Sequence, residues 1–513
     1  MLLLGIDIGT TNCKAGVFST DGTSVSMAST KTPLRGDRSG EYSCDPQELW
    51  DTVVRVIRQA LSQVDSVREI NAVGIASMAE GGTLIDRAGK ALCPIIPYFD
   101  QRSTKQCRLL EERLGRDRLF EITGLHLHPV FSLPKIMWIR EHFAGEFAEA
   151  SRWLCIPDYI NFRLTGRVAT DFSIASRTMA LDLNRSTWSE EVLGAAEISP
   201  ELFPEILPGG ELLGVITSEA SELTGLAPGT VVAMGGHDHY CGSVAAGLVY
   251  GGRMVNSLGT AESIHTLLEG PFRPSPALKS FQFGKYLSAD YTYIDAGLLS
   301  SGLVVDWSAK RFASLQDWED SENPGSVPHS DIVQKLKGMS LDAEPLVFLP
   351  HLRGGGYPEW DPESRGALIG LRPSHTARHI FKAIVEGLCF ETRKVLDAMI
   401  RLSGQSIEKT IAIGGGTRNE FWMQTKADVT GLTIEVPAVE ESTLFGAALL
   451  AGIGVAVYRD FKDASDATHS ARCTYTPRSR YRDYYERLFA QYEQILSRDL
   501  LSINRGLANL ETK

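Results

Sequence analysis

Apolar residues run almost unbroken from Leu2 to Ile8, stop at Gly9-Thr10-Thr11, and resume over residues 14–19. Short apolar runs split by such a turn predict the two strands of a hairpin. A third strand over residues 24–30 follows Asp21-Gly22 and closes a meander. The period then changes. Behind Pro46, which suits the first turn of a helix, Leu49, Trp50, Val53, Val54, Ile57 and Leu61 recur on one face. Residues 70–76 return to a buried strand that ends at Ser77-Met-Ala-Glu-Gly-Gly82. From about 105 to 225 the pattern is mostly helical with charged faces, and it reads as an insertion covering the first half.

Pro228-Gly229 introduces a strand over residues 231–234 that runs into Gly235-Gly-His-Asp-His239. A second meander follows at residues 253–257, 264–268 and 291–296. Beyond it come a long helix from 379 to about 402, a strand at 410–413, three glycines at 414–416 and a helix over 419–430. The boundary between halves is expected at 245–252, where three glycines offer hinge positions. The tyrosine-rich stretch from Tyr481 to Tyr492 reads as an amphipathic helix for packing. Meander, helix and strand, in that order, resemble the start of an actin-like (ribonuclease H-like) half. The fold class is therefore α/β, with two actin-like ATPase domains expected around a central cleft.

At 513 residues the chain is too long for one core, and ~150 residues per domain gives roughly three domains or two large ones. Its 43% hydrophobic and 22% charged residues are ordinary for a soluble globular protein. A net charge of −12 argues against nucleic acid and against an anionic membrane surface as partners. It leaves ATP open, because a local site can be positive and Mg²⁺ screens phosphates. The eight cysteines are scattered without a Cys-x-x-Cys pair, which suits free thiols in a reducing cytoplasm. The first residues lack the basic region and cleavage site of a signal peptide and read as a first strand. The longest apolar run, 444–457, holds three glycines and falls short of the ~20 residues that span a bilayer. A cytoplasmic protein without a membrane segment is expected; a homodimer is left open.

The chemistry concentrates in two matching turns. Gly5-Ile-Asp-Ile-Gly-Thr-Thr-Asn12 and Asn256-Ser-Leu-Gly-Thr-Ala261 each leave a strand through Gly-Thr. Such turns present backbone N–H groups and hydroxyls to an anion, and glycine lets the main chain approach closely. Two of them suggest a duplicated fold whose halves hold a polyphosphate through Thr10, Thr11 and Asn12 on one side and Gly259 and Thr260 on the other. Asp7 is the candidate Mg²⁺ carboxylate, with Asp238 beside the same phosphates. Phosphoryl transfer further needs a carboxylate to take the acceptor hydroxyl's proton. Asp238, at the carboxyl end of a buried strand, is the candidate base. Two other readings stay open for it: a metal site with His237 and His239, and an ordinary helix cap. Gly414, Gly415 and Gly416, after a strand, would admit a flat ligand such as adenine.

These residues resemble the FGGY carbohydrate kinases over essentially the whole chain. The most specific match is Gly366-Ala-Leu-Ile-Gly-Leu371, seven residues, then His379-Ile-Phe-Lys-Ala-Ile-Val-Glu386. Leu133-Pro-Lys-Ile-Met-Trp-Ile-Arg-Glu141 is similar to the other family signature, although Val130 departs from its usual first position. Trp360-Asp-Pro362 with Arg365, the triple glycine with Asn419, Trp422, Gln424 and Asp428, and Glu441-Ser-Thr443 with Gly446 also follow the family. The resemblance implies an N-terminal FGGY domain at 1–246, with a helical insertion, binding substrate. It implies a C-terminal FGGY domain at 247–513 binding the nucleotide. Under it ATP and Mg²⁺ are cofactors, Asp238 is the catalytic base, and the triple glycine with Asn419 lines the adenosine site.

In that family the loop after the strand at 70–76 touches the acceptor. Xylulokinases carry Met-His at the positions of Ala79 and Glu80, and glycerol kinases carry Arg-Glu; the loop is also similar to the Ser-Met-Arg-Glu-Gly of autoinducer-2 kinases. Keeping Glu80 suits a polyol-like acceptor, while Ala79 in place of arginine removes a donor fork and makes room. Asp100 and Arg102, in Tyr98-Phe-Asp-Gln-Arg-Ser103, match the next substrate-side segment, with a surface ion pair as the alternative for Arg102. The expected acceptor is a ketose or alditol of about four to six carbons, a ketopentose such as xylulose favoured. The competing expectation is an actin-like ATP-binding assembly or regulatory protein that phosphorylates no sugar.

Overall fold

The computed structural model describes residues 1–37, 40–270, 273–312, 344–439, 441–497, 500 and 503. The chain divides into two units. One comprises Met1–Tyr250, Leu267–Tyr293 and Val439–His469; the other comprises the described residues of Gly251–Thr266, Ile294–Ala438 and Ser470–Lys513.

The first unit is built on strands β1 (Leu2–Ile8), β2 (Asn12–Ser19), β3 (Ser24–Lys31), β4 (Ile70–Ser77), β5 (Leu212–Val215) and β6 (Val231–His237). Their order is β5-β6-β4-β1-β2-β3. The first three form the antiparallel meander, and β4 and β6 join parallel to β1. Parallel strands are covered on both faces, which explains why β1 and β4 read as continuous apolar runs. Helix Pro46–Leu61 starts where expected, because Asp45 accepts a hydrogen bond from the Glu48 N–H at 2.9 Å. It buries Leu49, Trp50, Val53, Val56, Ile57 and Leu61, with Val54 only half-buried.

A late segment completes this unit. Helix Ser442–Gly454 packs on β1, β4 and helix Asp238–Ala246, and every residue from Leu444 to Gly452 is buried. The approach is close enough to demand glycine on both sides. A Cβ at Gly5 would lie 2.0 Å from the Leu444 carbonyl oxygen, and one at Gly446 would lie 1.9 Å from that of Cys241. The long apolar run is thus a core helix. Among the described residues, no helix is long and apolar enough to cross a membrane.

Between β4 and β5 the chain forms mostly helices, among them Thr104–Leu114, Ser132–His142 and Ile156–Thr165, with short strand pairs between them. They enclose an apolar cluster of their own, around Phe131, Leu133, Ile136, Trp153 and Phe203.

A second sheet, with most of its residues in the second unit, repeats the plan. Its strands include β7 (Arg253–Leu258), β8 (Glu262–Glu269), β9 (Tyr291–Leu298), β10 (Lys409–Ile413), β11 (Thr433–Pro437) and β12 (Ala471–Tyr475), adjacent in the order β9-β8-β7-β10-β11-β12. Again the second strand is antiparallel to the first, two later strands are parallel on its other side, and an antiparallel strand closes the edge. Helix Ala377–Ser403 packs on helix Glu420–Thr430, and its Phe390 meets Tyr485, Phe489 and Tyr492 of helix Arg482–Ser497. The C-terminal tyrosines are packing residues, as their spacing predicts.

Candidate functional site

The strand order aligns the carboxyl ends of β1, β4 and β6 along one end of the first sheet. Asp7 of β1 pairs in register with Ala76 of β4, and Ser77 pairs with His237 of β6. The carboxyl ends of three adjacent parallel strands therefore deliver Asp7, the 77–80 loop and Asp238 to the same side. The Gly-Thr turn lies there too: Gly9 N–H donates to the Asn12 carbonyl at 3.0 Å, and Thr10 Oγ1 is 3.7 Å from Met78 Sδ. Thr11 is exposed, and Thr10 and Asn12 are half-buried.

Asp238 is the first residue of its helix, with 24% of its side chain exposed. Burial pushes its carboxyl up, but the charges of His237 and His239 and a hydrogen bond from His237 outweigh that and hold it at about 2. His237 Nδ1 lies 2.6 Å from Asp238 Oδ1, which also accepts the His239 N–H at 2.7 Å. A proton on Nδ1 serves the carboxylate, so the 3.2 Å approach of the His239 N–H to that nitrogen is not a second hydrogen bond. The helix-cap reading describes part of this geometry, since the carboxylate sits at a helix N-terminus. His239 lies on the helix and not on the strand, so the shared strand face expected for a histidine metal site is not what brings the two rings to 4.9 Å between centroids. Among the described residues there is no cluster of three or more histidine, cysteine or carboxylate side chains able to hold a metal.

Asp7 behaves in the opposite way. Burial, and then the nearby Asp238 charge, push its carboxyl up to about 7, against a smaller pull from Lys14. Lys14 is itself engaged by Glu441 at 2.6 Å. A carboxyl whose ionisation is opposed by a neighbouring carboxylate makes with it a donor set that a hard divalent cation fits, with water and phosphate oxygens completing its shell. Asp7 and Asp238 are the residues that would hold it.

The 77–80 loop contains a strained residue. Glu80 is buried and has φ +68, a left-handed conformation uncommon outside glycine and costing of order 1–3 kcal/mol. It is held by Ser132 Oγ, which donates to the Glu80 carbonyl at 2.9 Å, and by Arg177, whose Nε and Nη2 lie 2.7 and 2.6 Å from Oε1. Ala79 places its methyl in the apolar cluster of the insertion. Asp100 and Arg102 form an ion pair with each other, which Tyr42 N–H and Glu41 join. Arg102 Nε and Nη2 donate to Asp100 Oδ1 and Oδ2, each at 2.8 Å, and Nη2 also reaches the Tyr42 carbonyl. The guanidinium also lies over the Trp138 ring. Burial alone would raise the Asp100 carboxyl, but the Arg102 hydrogen bonds bring it below the usual carboxylate range. Lys135, fully buried, links the two groups electrostatically. Desolvation takes it down to about 8, with Glu80 and Asp100 pulling the other way.

In the second unit the equivalent turn is one residue tighter, with Gly259 N–H donating to the Ala261 carbonyl at 3.0 Å. It borders a cavity of about 620 Å³ that Gly259, Thr260, Gly415, Gly416 and Asn419 all line. Gly414 stands behind the lining at φ +89, where a Cβ would meet the Leu258 carbonyl at 2.7 Å. Asn419 caps helix Glu420–Thr430 through Oδ1, which accepts from Trp422 N–H at 3.0 Å. Its buried Nδ2 has no partner among the described residues. An orphaned donor on a cavity wall points to an acceptor on a bound ligand.

Several residues at these sites escaped the sequence reading: Arg177 and Lys14 in the first unit, and Gly302, Asp306 and Arg418 on the cavity wall. For Arg177 a faint signal existed, because Asp171 followed by Ser173 announces the short helix Phe172–Ser176 that Arg177 caps at its carboxyl end. Both residues' roles are clear in the structure: Asp171 accepts the Ser173 and Ile174 N–H groups, and Ser173 Oγ accepts the His237 N–H.

The model of the FGGY family of carbohydrate kinases, N-terminal domain, matches residues 2–245, and that of the C-terminal domain matches residues 254–455. The xylulose kinase of Klebsiella pneumoniae is 30% identical over 459 residues, covering 88% of this chain and 90% of that protein. The xylulose kinase of Bacillus subtilis (strain 168) is 27% identical over 495 residues, 96% of each chain. In structure, the xylulose kinase from Rhodospirillum rubrum gives a TM-score of 0.86 at 25% identity, covering 96% of this chain and 98% of that one.

Proposed function

The chain belongs to the FGGY family of carbohydrate kinases, and on that premise we propose that it transfers the γ-phosphoryl group of ATP to a hydroxyl of a neutral ketose or polyol, a ketopentose such as xylulose favoured. The observation that carries this reading is the convergence of Asp7, Asp238 and the Glu80 loop at the carboxyl ends of β1, β6 and β4. The adenosine part is assigned to the cavity of the second unit, where Asn419 Nδ2 offers its unused donor.

Asp238 takes the acceptor's proton. Held at about 2, it is ionised throughout the neutral range and ready to accept, yet it is a weak base. It therefore receives the proton late, once the acceptor oxygen has begun to bond to phosphorus and has become acidic. That timing suits a loose phosphoryl-transfer transition state. His237 and His239 keep the carboxylate charged and aimed. Glu80 accepts hydrogen bonds from acceptor hydroxyls, and the Gly-Thr turns offer N–H groups and hydroxyls to phosphate oxygens. A Mg²⁺ ion at Asp7 and Asp238 would supply charge neutralisation on those oxygens.

A coupled assay of ADP release, run over pentuloses, hexuloses, tetritols and glycerol, tests the proposal. The expected result is strong stimulation by one neutral acceptor, with a ketopentose best. Slow hydrolysis that no acceptor stimulates would overturn it.

A further inference from the structure

We infer that Arg177 is a positioning residue of the acceptor site, acting through Glu80, and that the neutralised pair restricts the site to uncharged acceptors. The inference rests on the acceptor-loop reading above and deepens it.

Glu80 sits on a backbone conformation that does not by itself fix its side chain, and its carboxylate is buried. Arg177 fixes it with two nitrogens on a single oxygen, Oε1. Arg177 is steered in turn from other sides: its Nη1 donates to Gln282 Oε1 at 3.0 Å, and its guanidinium lies 4.9 Å from the Phe131 ring centroid. A long side chain held on three sides loses its rotamer freedom during folding, so binding need not remove it. Glu80 then meets an acceptor already aimed.

The pair also sets the local charge. Glu80 and Arg177 cancel, and Lys135 spends its protons on the backbone carbonyls of Pro129 and Val130. A sugar acid entering here would find a carboxylate facing it and a guanidinium already committed to that carboxylate. A neutral polyol finds an acceptor for its hydroxyls. Ala79 leaves the loop without the second donor fork that an arginine would bring, so Arg177 is the guanidinium on which the loop's charge balance turns.

The test compares the full-length wild type with Arg177→Met, Arg177→Lys, Glu80→Gln and the Glu80→Gln/Arg177→Met double variant. ADP release is followed with the best neutral acceptor and with five- and six-carbon aldonates. Arg177→Met is expected to raise the neutral acceptor's KM by ~10-fold or more while the KM for ATP stays within about twofold. In the Glu80→Gln background the same substitution should change that KM by less than about threefold, because its target is already gone. Glu80→Gln should raise kcat/KM for an aldonate by ~10-fold or more, and the double variant should lose that gain. If Arg177→Met melts far below the wild type, Arg177→Lys decides: it keeps the charge, loses the fork, and should show the same loss confined to the acceptor's KM. Additive penalties in the cycle, or an aldonate gain that survives removal of Arg177, would overturn the inference while leaving the kinase reading intact. A wild type that phosphorylates no neutral acceptor would sink both.

Discussion

Removing the Lys426 side chain charge should damage nucleotide binding from behind the cavity. Lys426 and Glu262 are both fully buried, 2.6 Å apart. Glu262 follows directly on the Gly259-Thr260-Ala261 turn and also accepts hydrogen bonds from Asn256 Nδ2, Thr392 Oγ1 and Ser301 Oγ, each at 2.8 Å. The backbone of Ser301 and Gly302 donates to the carbonyls of Thr260 and Gly259 at 3.0 and 2.9 Å, so the network reaches the turn twice. Lys426→Met leaves a buried carboxylate without its cation, a change that costs about 3–5 kcal/mol. Three neutral donors remain, which favours the lower end, about 3 kcal/mol. In a unit of about 150–250 residues each kcal/mol moves Tm by about 2–4 °C, so calorimetry should show a drop of roughly 6–12 °C. The KM for ATP should rise while that for the sugar holds. Lys426→Met/Glu262→Gln, which removes both charges, should recover most of the loss. A single variant melting within about 2 °C of the wild type, or a double variant no better than the single, would refute the reasoning.

Asp238→Asn should lower kcat by at least ~10²-fold with little change in ATP affinity, measured by steady-state kinetics and nucleotide titration; activity within a few-fold of wild type would remove it as the base. Glu80→Ala should raise KM for the sugar far more than for ATP, whereas equal effects would make the loop structural. Asp171 gives a stability test. Burial lifts its carboxyl from 3.8 to about 6, so the folded state keeps the proton longer than the unfolded chain does. Its stabilising effect is full below 3.8 and is lost as pH rises through about 6, at most roughly 3 kcal/mol. Asp171→Asn keeps the helix cap but cannot ionise. Its Tm relative to wild type should therefore climb by about 5 °C or more between pH 4 and 7, and a flat difference would contradict the assignment.

The local pattern made much of the frame legible. β1, β2, helix Pro46–Leu61 and β4 follow from apolar period, a capping Asp and a Gly-Thr break, all of which act over a few residues. Asn419 was expected inside a helix and instead caps it, the usual boundary ambiguity for a residue whose side chain can replace a backbone partner. The insertion was readable as helical, but not its short strand pairs, which depend on partners far along the chain. The same limit hid Arg177 and Lys426. Each matters because of a carboxylate 97 or 164 positions away, and no spacing rule reaches so far. The loss of arginine at position 79 was visible, but not that position 177 brings a guanidinium to the same carboxylate.

Helix Ser442–Gly454 has a consequence for biosynthesis. The sheet it covers is translated early, whereas the helix emerges from the ribosome only after the second meander and its long helices have been made. Until then the nascent chain carries β1 and β4 with the grooves at Gly5 and Gly74 bare, each shaped to receive backbone from Leu444 or Ala447. A premature stop anywhere before Ser442 would leave that apolar face without its cover, so early truncations should aggregate instead of yielding a self-sufficient amino-terminal fragment.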